Sequence, residues 1–169
     1  SVMAGSRSYA LPRAVINGFS VMGGVESYTP PSVSFIMEEV KGGRFVAGEM
    51  AVGIEALKGK IVLSDVTDEL LLSMGVELDE FSEITVLSSS IDEDKVKKKL
   101  RWEHTCDITK IDTGEVKPGK MQATLEFTCR VFKHMDNGKV IHNINTKTQE
   151  TVVFGVDRMA QHRANVELA

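Results

Sequence analysis

The sequence predicts a mainly β domain, on three observations. Residues 123–133 alternate strictly: Ala123, Leu125, Phe127, Cys129 and Val131 fall on one face and Thr124, Glu126, Thr128 and Arg130 on the other. Period-2 alternation of this kind marks a half-buried antiparallel strand, although Phe132 breaks the polar face near its end. Residues 97–110 repeat the pattern, with Leu100, Trp102, His104, Cys106 and Ile108 opposed to Arg101, Glu103, Thr105 and Asp107. Asn137-Gly138 then supplies the strongest short-range hairpin signal, because both residues tolerate positive φ. With a return strand over residues 139–154 and a longer connection over 111–119, these segments form a meander of three long strands.

Shorter strands are expected upstream, at residues 14–21, 32–40, 57–63 and 84–91, separated by glycines and scarce prolines. Between the second and third of them, residues 41–50 form a long glycine-rich loop that carries Phe45, Val46 and Met50. Loops of this length are often functional or ordered by a partner. A helix is expected from Thr67, an N-cap candidate followed by acidic Asp68 and Glu69, to Met74, with Gly75 as the stop. A second is expected over residues 156–168, where Met159, His162 or Arg163, and Val166 recur at helical spacing and Asp157 suits the positive end of the dipole. Residues 1–9 are small and polar and read as a flexible N-terminal extension; residues 10–169 read as one domain.

The chain has 169 residues, with 20 Lys and Arg against 24 Asp and Glu and a formal net charge of -4. That length bounds the reading to a single domain able to bury a core without disulfide staples. The acidic balance argues against a surface that grips nucleic acid, but not against one that lets it pass. Two cysteines, Cys106 and Cys129, provide neither a disulfide framework nor a zinc-ribbon spacing. No apolar run approaches the roughly 18 residues of a membrane span. A soluble protein made in a reducing cytoplasm is the expectation.

Signals for catalysis are weak. No phosphate-binding P-loop, dinucleotide fingerprint, zinc-protease motif or serine elbow occurs. His104 and Cys106 share a strand face, as a nucleophile and base or two metal ligands would, but a buried histidine beside a small apolar thiol is the plainer reading. His134 and His142 flank the Asn-Gly turn, and two ligands do not close a zinc site. The run Asp92-Glu93-Asp94 followed by Lys95, Lys97, Lys98 and Lys99 lacks the spacing of a calcium loop and reads as a solvated turn. No cofactor and no metal are expected.

The order of landmarks resembles the tail tube proteins of contractile-tailed phages, the FII type. Leu11-Pro12-Arg13 and Asn17-Gly18 are similar to that family's opening strand and glycine turn. Glu38-Glu39, the glycine-rich loop to Met50, and Gly53 resemble its next segment, with Val40 where the family has Tyr. Lys110-Ile111-Asp112-Thr113-Gly114 and the ending Gly155-Val156-Asp157-Arg158 resemble it most, with Phe154 in place of Asn. The series runs through most of residues 11–168.

The resemblance implies a β-sandwich or barrel-like domain with a flanking helix and a C-terminal helix. It implies hexameric rings stacked into a hollow tube inside a contractile tail, as in Hcp-like and R-type bacteriocin tubes. The implied partners are further copies of the chain, the tail sheath, the tape-measure protein, the baseplate and the tail terminator, with DNA crossing the lumen unbound and no stable membrane insertion. The implied location is the host cytoplasm during assembly, then the virion tail or bacteriocin particle. On this reading Gly42, Gly43, Arg44, Phe45, Val46 and Met50 form a ring-stacking loop. Asp112, Thr113 and Gly114 form a structural turn, and Asp157 and Arg158 anchor the last helix. An Hcp-like component of a bacterial injection apparatus is the alternative, and a small β-rich enzyme or binding domain using His104 and Cys106 is the third reading.

Overall fold

The computed structural model describes residues 7–9, 12–21, 23–40, 48–148 and 150–157. In chain order the elements are β1 (Arg7–Tyr9), β2 (Arg13–Ile16), β3 (Phe19–Ser20), β4 (Val25–Thr29), β5 (Phe35–Val40), β6 (Gly48–Ile54), β7 (Leu57–Ser64), α1 (Asp68–Ser73), β8 (Phe81–Asp92), β9 (Lys97–Asp112), β10 (Gln122–Asp136), β11 (Lys139–Asn145), β12 (Glu150–Val153) and β13 (Val156–Asp157). The main sheet runs β13-β12-β11-β10-β9-β8-β2-β3, with β1 on β8, β7 on β10 and β4 on β7; β5 and β6 pair only with each other. Every pairing is antiparallel.

The expected meander is present as β9, β10 and β11. Asn137 and Gly138 both take positive φ, 52° and 82°, and close the β10–β11 hairpin as a type I′ turn would. Strand β10 is the centre of the sheet. One edge lies against β9 along nearly its whole length; the other pairs first with β7, over Gln122–Cys129, and then with β11, over Val131–Asp136. The handover falls at a β-bulge. Cys129 pairs with Cys106 and Val131 with Thr105, so Arg130 is the extra residue. The bulge shifts the alternation by one, and this is why Phe132, on the polar face by simple counting, is buried.

The sheet curls over one core. Ile61 and Leu63 from β7, Ile84 and Val86 from β8, Ile108 from β9, and Leu125 and Phe127 from β10 are its centre. Helix α1 covers part of it with Leu71, while Met74 and Val76 follow it inward. The helix begins as the sequence predicts: the Thr67 hydroxyl accepts a hydrogen bond from the Leu70 N–H at 3.2 Å, Asp68 and Glu69 fill the first turn, and Gly75 leaves it at φ +79°. Leu70 and Leu72 stay exposed.

Several boundaries differ from the expectation. Residues 14–21 form a hairpin, β2 and β3, turned by Asn17 and Gly18 at φ 50° and 85°. Residues 139–154 split into β11 and β12, because the Asn145 carboxamide oxygen accepts from the N–H groups of Lys147 and Thr148 and folds a turn there. Strands β4 and β6 were not expected; β6 in particular lies partly inside the predicted loop. Arg7–Tyr9, within the stretch read as a flexible extension, pair with Asp92, Ile91 and Ser90 of β8. Backbone pairing at a sheet edge orders them without needing apolar side chains.

One close approach sets a residue identity in the core. Gly59 of β7 faces Phe127 of β10, and a Cβ at position 59 would stand 2.5 Å from that ring. We predict that Gly59→Ala lowers stability by about 1–3 kcal/mol through overpacking. Placing Phe127→Leu in the same chain should make the added methyl less costly than it is alone. Urea unfolding of the two single variants and the double variant measures both; equal costs in the two backgrounds would remove Phe127 as the cause.

Candidate assembly interface

Hairpin β5–β6 stands apart from the main sheet. Its base is tied down: the Glu55 N–H donates to the Ser34 carbonyl at 2.9 Å, the Ser34 hydroxyl donates to the Glu55 carboxylate at 2.9 Å, and Ile54 packs on the core. Beyond the base, Ile36, Met37 and Met50 are 45%, 48% and 48% exposed. A two-stranded hairpin with one such apolar set in water is marginal on its own. Met50, expected in a loop, sits in β6 opposite Glu38, because residues 48–54 are extended far enough to pair with β5. Glycines 48 and 53 and the lack of a polar–apolar alternation hide that strand in the sequence. Gly42, Gly43, Arg44, Phe45 and Val46 lie outside the described residues.

Asp112 ends β9, and its carboxylate accepts from the Gly114 N–H at 2.9 Å. Gly114 takes φ +71°, so the segment Asp112-Thr113-Gly114 is a side-chain-closed turn, with Thr113 half-buried inside it. The expected last helix requires a correction at its start. Phe154 and Gly155 take φ 50° and 77° and turn the chain back, so that Val156 and Asp157 pair with Val153 and Val152 as β13. Asp157 is therefore in a strand and does not open a helix; Arg158 lies outside the described residues.

The two interior groups that a catalytic reading would use, His104 and Cys106, are engaged by the fold. His104 is 2% exposed. Its Nδ1 lies 2.7 Å from the Ile84 carbonyl and its Nε2 2.5 Å from the Tyr28 hydroxyl. A carbonyl only accepts, so Nδ1 carries the proton and Nε2 accepts from Tyr28. Burial pulls the His104 pKa down to about 4, against the smaller opposing pulls of the Ile84 carbonyl and Glu103. Tyr28 is pushed well up, also by burial. Cys106 donates to the Ser82 carbonyl at 3.4 Å, and burial pushes its thiol up to about 12. Cys129, directly opposite, is a second buried free thiol, pushed up by burial and then by Cys106. A histidine with both ring nitrogens engaged and thiols held protonated do not make a nucleophile and its base.

His134 and His142 do pair across the hairpin, and His134 stacks on Trp102 at 5.1 Å. Burial lowers both of their pKa values. Among the described residues no group of three His, Cys, Asp or Glu side chains is placed to hold a metal, and no helix is long and apolar enough to cross a membrane. Asp92 to Lys95 form the β8–β9 turn, where the Asp92 carboxylate accepts from the Val96 N–H at 2.9 Å.

A curled antiparallel sheet, a small helix and a free-standing hairpin define a tube-type fold of contractile injection machines. The chain resembles the sheath/tube terminator of an extracellular contractile injection system (PVC, extended state) with a TM-score of 0.54 at 10% identity, over 74% of this chain and 93% of that one. It also resembles a chain of the PVC sheath-tube complex, with a TM-score of 0.52 at 10% identity over 74% and 88%. A chain of the anti-feeding prophage baseplate aligns with a TM-score of 0.51 at 12% identity over 80% and 97%. The sequence narrows this class. Residues 12–166 match the family model of phage tail tube protein FII. The tail tube protein of Escherichia phage P2 is 27% identical over 184 residues, covering 98% of this chain and all of that one. The chain belongs to the phage tail tube protein FII family, and is a structural tail tube protein of contractile phage tails.

The neutral His104 has a consequence for stability. Below its ordinary value of 6.5 the unfolded chain takes up a proton that the folded chain refuses until about pH 4. Stability is therefore expected to fall as pH drops through that window, by roughly 3 kcal/mol from this residue when fully developed. Urea midpoints between pH 7.5 and 4 should decline, and the decline should be shallower in His104→Gln. The same slope in both proteins would show that His104 is not its source.

Proposed function

We propose that the chain assembles into hexameric rings that stack into the inner tube of a contractile tail, with hairpin β5–β6 and the loop over residues 41–47 joining one ring to the next. The observation that carries this reading is the hairpin itself: anchored at its base, unpaired beyond it, and exposing Ile36, Met37 and Met50. Exposed apolar surface concentrated on a projecting element marks a contact site. The sheath-tube and baseplate assemblies in which similar folds occur support partnership with a sheath and a baseplate. A terminator partner and a tape-measure partner belong to the same reading, as do assembly in the host cytoplasm and a final place in the virion tail.

The net charge of -4, repeated in every subunit of a tube, suits a conduit that repels phosphate and lets DNA slide rather than adhere. The turn Asp112-Thr113-Gly114 is read as a structural corner of the subunit, and Arg158 with Asp157 as an anchor for the chain beyond β13. The same subunit would serve equally in a headless injection particle, where the tube carries no DNA.

Purified protein at high concentration should form long hollow filaments in negative-stain electron microscopy. Replacing residues 41–47 by a short glycine-serine turn should leave a folded subunit, seen by circular dichroism, that makes rings or monomers and no filaments. Filaments of normal length from the shortened chain would overturn the stacking role.

A further inference from the structure

Hairpin β5–β6 carries one face that the described residues leave without a partner. Opposed residues of an antiparallel pair project to the same side, so Glu39 and Glu49 stand next to each other. Met37, two residues before Glu39, joins them on that side. Like charges directly opposite are destabilising, and among the described residues no cation pairs with either carboxylate. The described part of the hairpin contains Glu38, Glu39 and Glu49 and no Lys or Arg. Such a face needs a surface that brings both positive charge and an apolar floor.

The outer face of the main sheet holds one. Arg13, Leu87, Arg101 and Met135 lie in a row across β2, β8, β9 and β10, and Lys99 follows in the next row beside Ser89. Together they line a groove of about 540 Å³. Half-buried Leu87 and Met135 form its floor. Arg101 is held by Glu103 at 2.7 Å, whereas Arg13 and Lys99 have no ion-pair partner among the described residues.

We infer that the Met37–Glu39–Glu49 face of one copy seats in this groove of a second copy, Met37 against Leu87 and Met135 and the carboxylates against Arg13 and Lys99. The inference rests on the reading of the hairpin as the ring-to-ring contact and names the site that receives it. A projection on one surface fitting a recess on another is a heterologous contact, which propagates open-endedly when its rotation does not close a ring. That is the geometry a growing tube requires.

Charge exchange in the full-length chain tests the pairing. Glu39→Lys with Glu49→Lys, and separately Arg13→Glu with Lys99→Glu, should each raise the concentration needed for polymerisation by about tenfold or more, read by sedimentation and electron microscopy. All four changes together should restore filaments. A second measurement avoids charge reversal: Glu39→Cys with Lys99→Cys, assembled and then oxidised, should give a ladder of linked subunits on a denaturing gel. Cys106 and Cys129, 0% and 4% exposed, add no background to it. Wild-type polymerisation by the Arg13→Glu/Lys99→Glu variant, or intact filaments of the cysteine variant that yield no ladder, overturns the groove as the docking site. Either result leaves the stacking role of the hairpin and its loop open to a different docking site, and the chain shortened at residues 41–47 tests that role separately.

Discussion

The bulge at Arg130 is the constraint on which the sheet depends. The extra residue stands where one edge of β10 passes from β7 to β11. It also keeps both halves facing the core, Phe127 and Cys129 before the bulge and Phe132 after it. The bulge is pinned from several sides. The Arg130 guanidinium makes two hydrogen bonds to the Asp107 carboxylate, at 2.9 and 3.0 Å, and lies over the Phe81 ring at 5.7 Å. The Arg130 carbonyl accepts from both the N–H and the hydroxyl of Thr146, each at 2.9 Å. Bulges sharpen local twist, so the same residue helps the sheet curl over its core. Strands β11, β12 and β13 all hang on the half of β10 that follows it.

The curl brings β4 and β9 together, and the interior seam between them is polar. Tyr28 meets His104 by a hydrogen bond and packs edge-on to Trp102 at 5.4 Å. His104 in turn contacts Phe127 and Phe132. A fully satisfied polar pair in an apolar setting is directional where dispersion contacts are not. It specifies how the strands meet, and this accounts for a buried histidine better than catalysis does. The cysteine pair is consistent with this: Cys106 and Cys129 act as small apolar side chains opposite each other in the β9–β10 ladder.

The surface tells a different story from the interior. A lone globular domain hides its hairpins against the core, whereas here one hairpin is left standing with methionines and carboxylates outward. Exposed Leu70 and Leu72 on α1 add to the incompleteness. For a subunit whose working form is an assembly, local stability surrendered by one copy is recovered in contact with the next. Membership of the tail tube family places that trade in context.

Much of the fold could be read directly from residue order. The alternation in β9 and β10, the Asn137-Gly138 turn, the Thr67 cap and Gly75 stop of α1 all rest on interactions between residues near in sequence, and these follow from local sterics and hydrogen bonding. The family, too, was legible in the spacing of turns and glycines. The candidate interface was legible only in part: the expected apolar loop borders hairpin β5–β6, but β6 itself was hidden, and residues 156 and 157, expected to open a helix, are turned into β13 by Phe154 and Gly155. What only the tertiary structure decided is which residues become neighbours across distance. The frameshift at Arg130, the Gly59–Phe127 contact and the alignment of Arg13 with Leu87, Arg101 and Met135 depend on strand register, which is set by the packing of the whole sheet and leaves no trace in local periodicity.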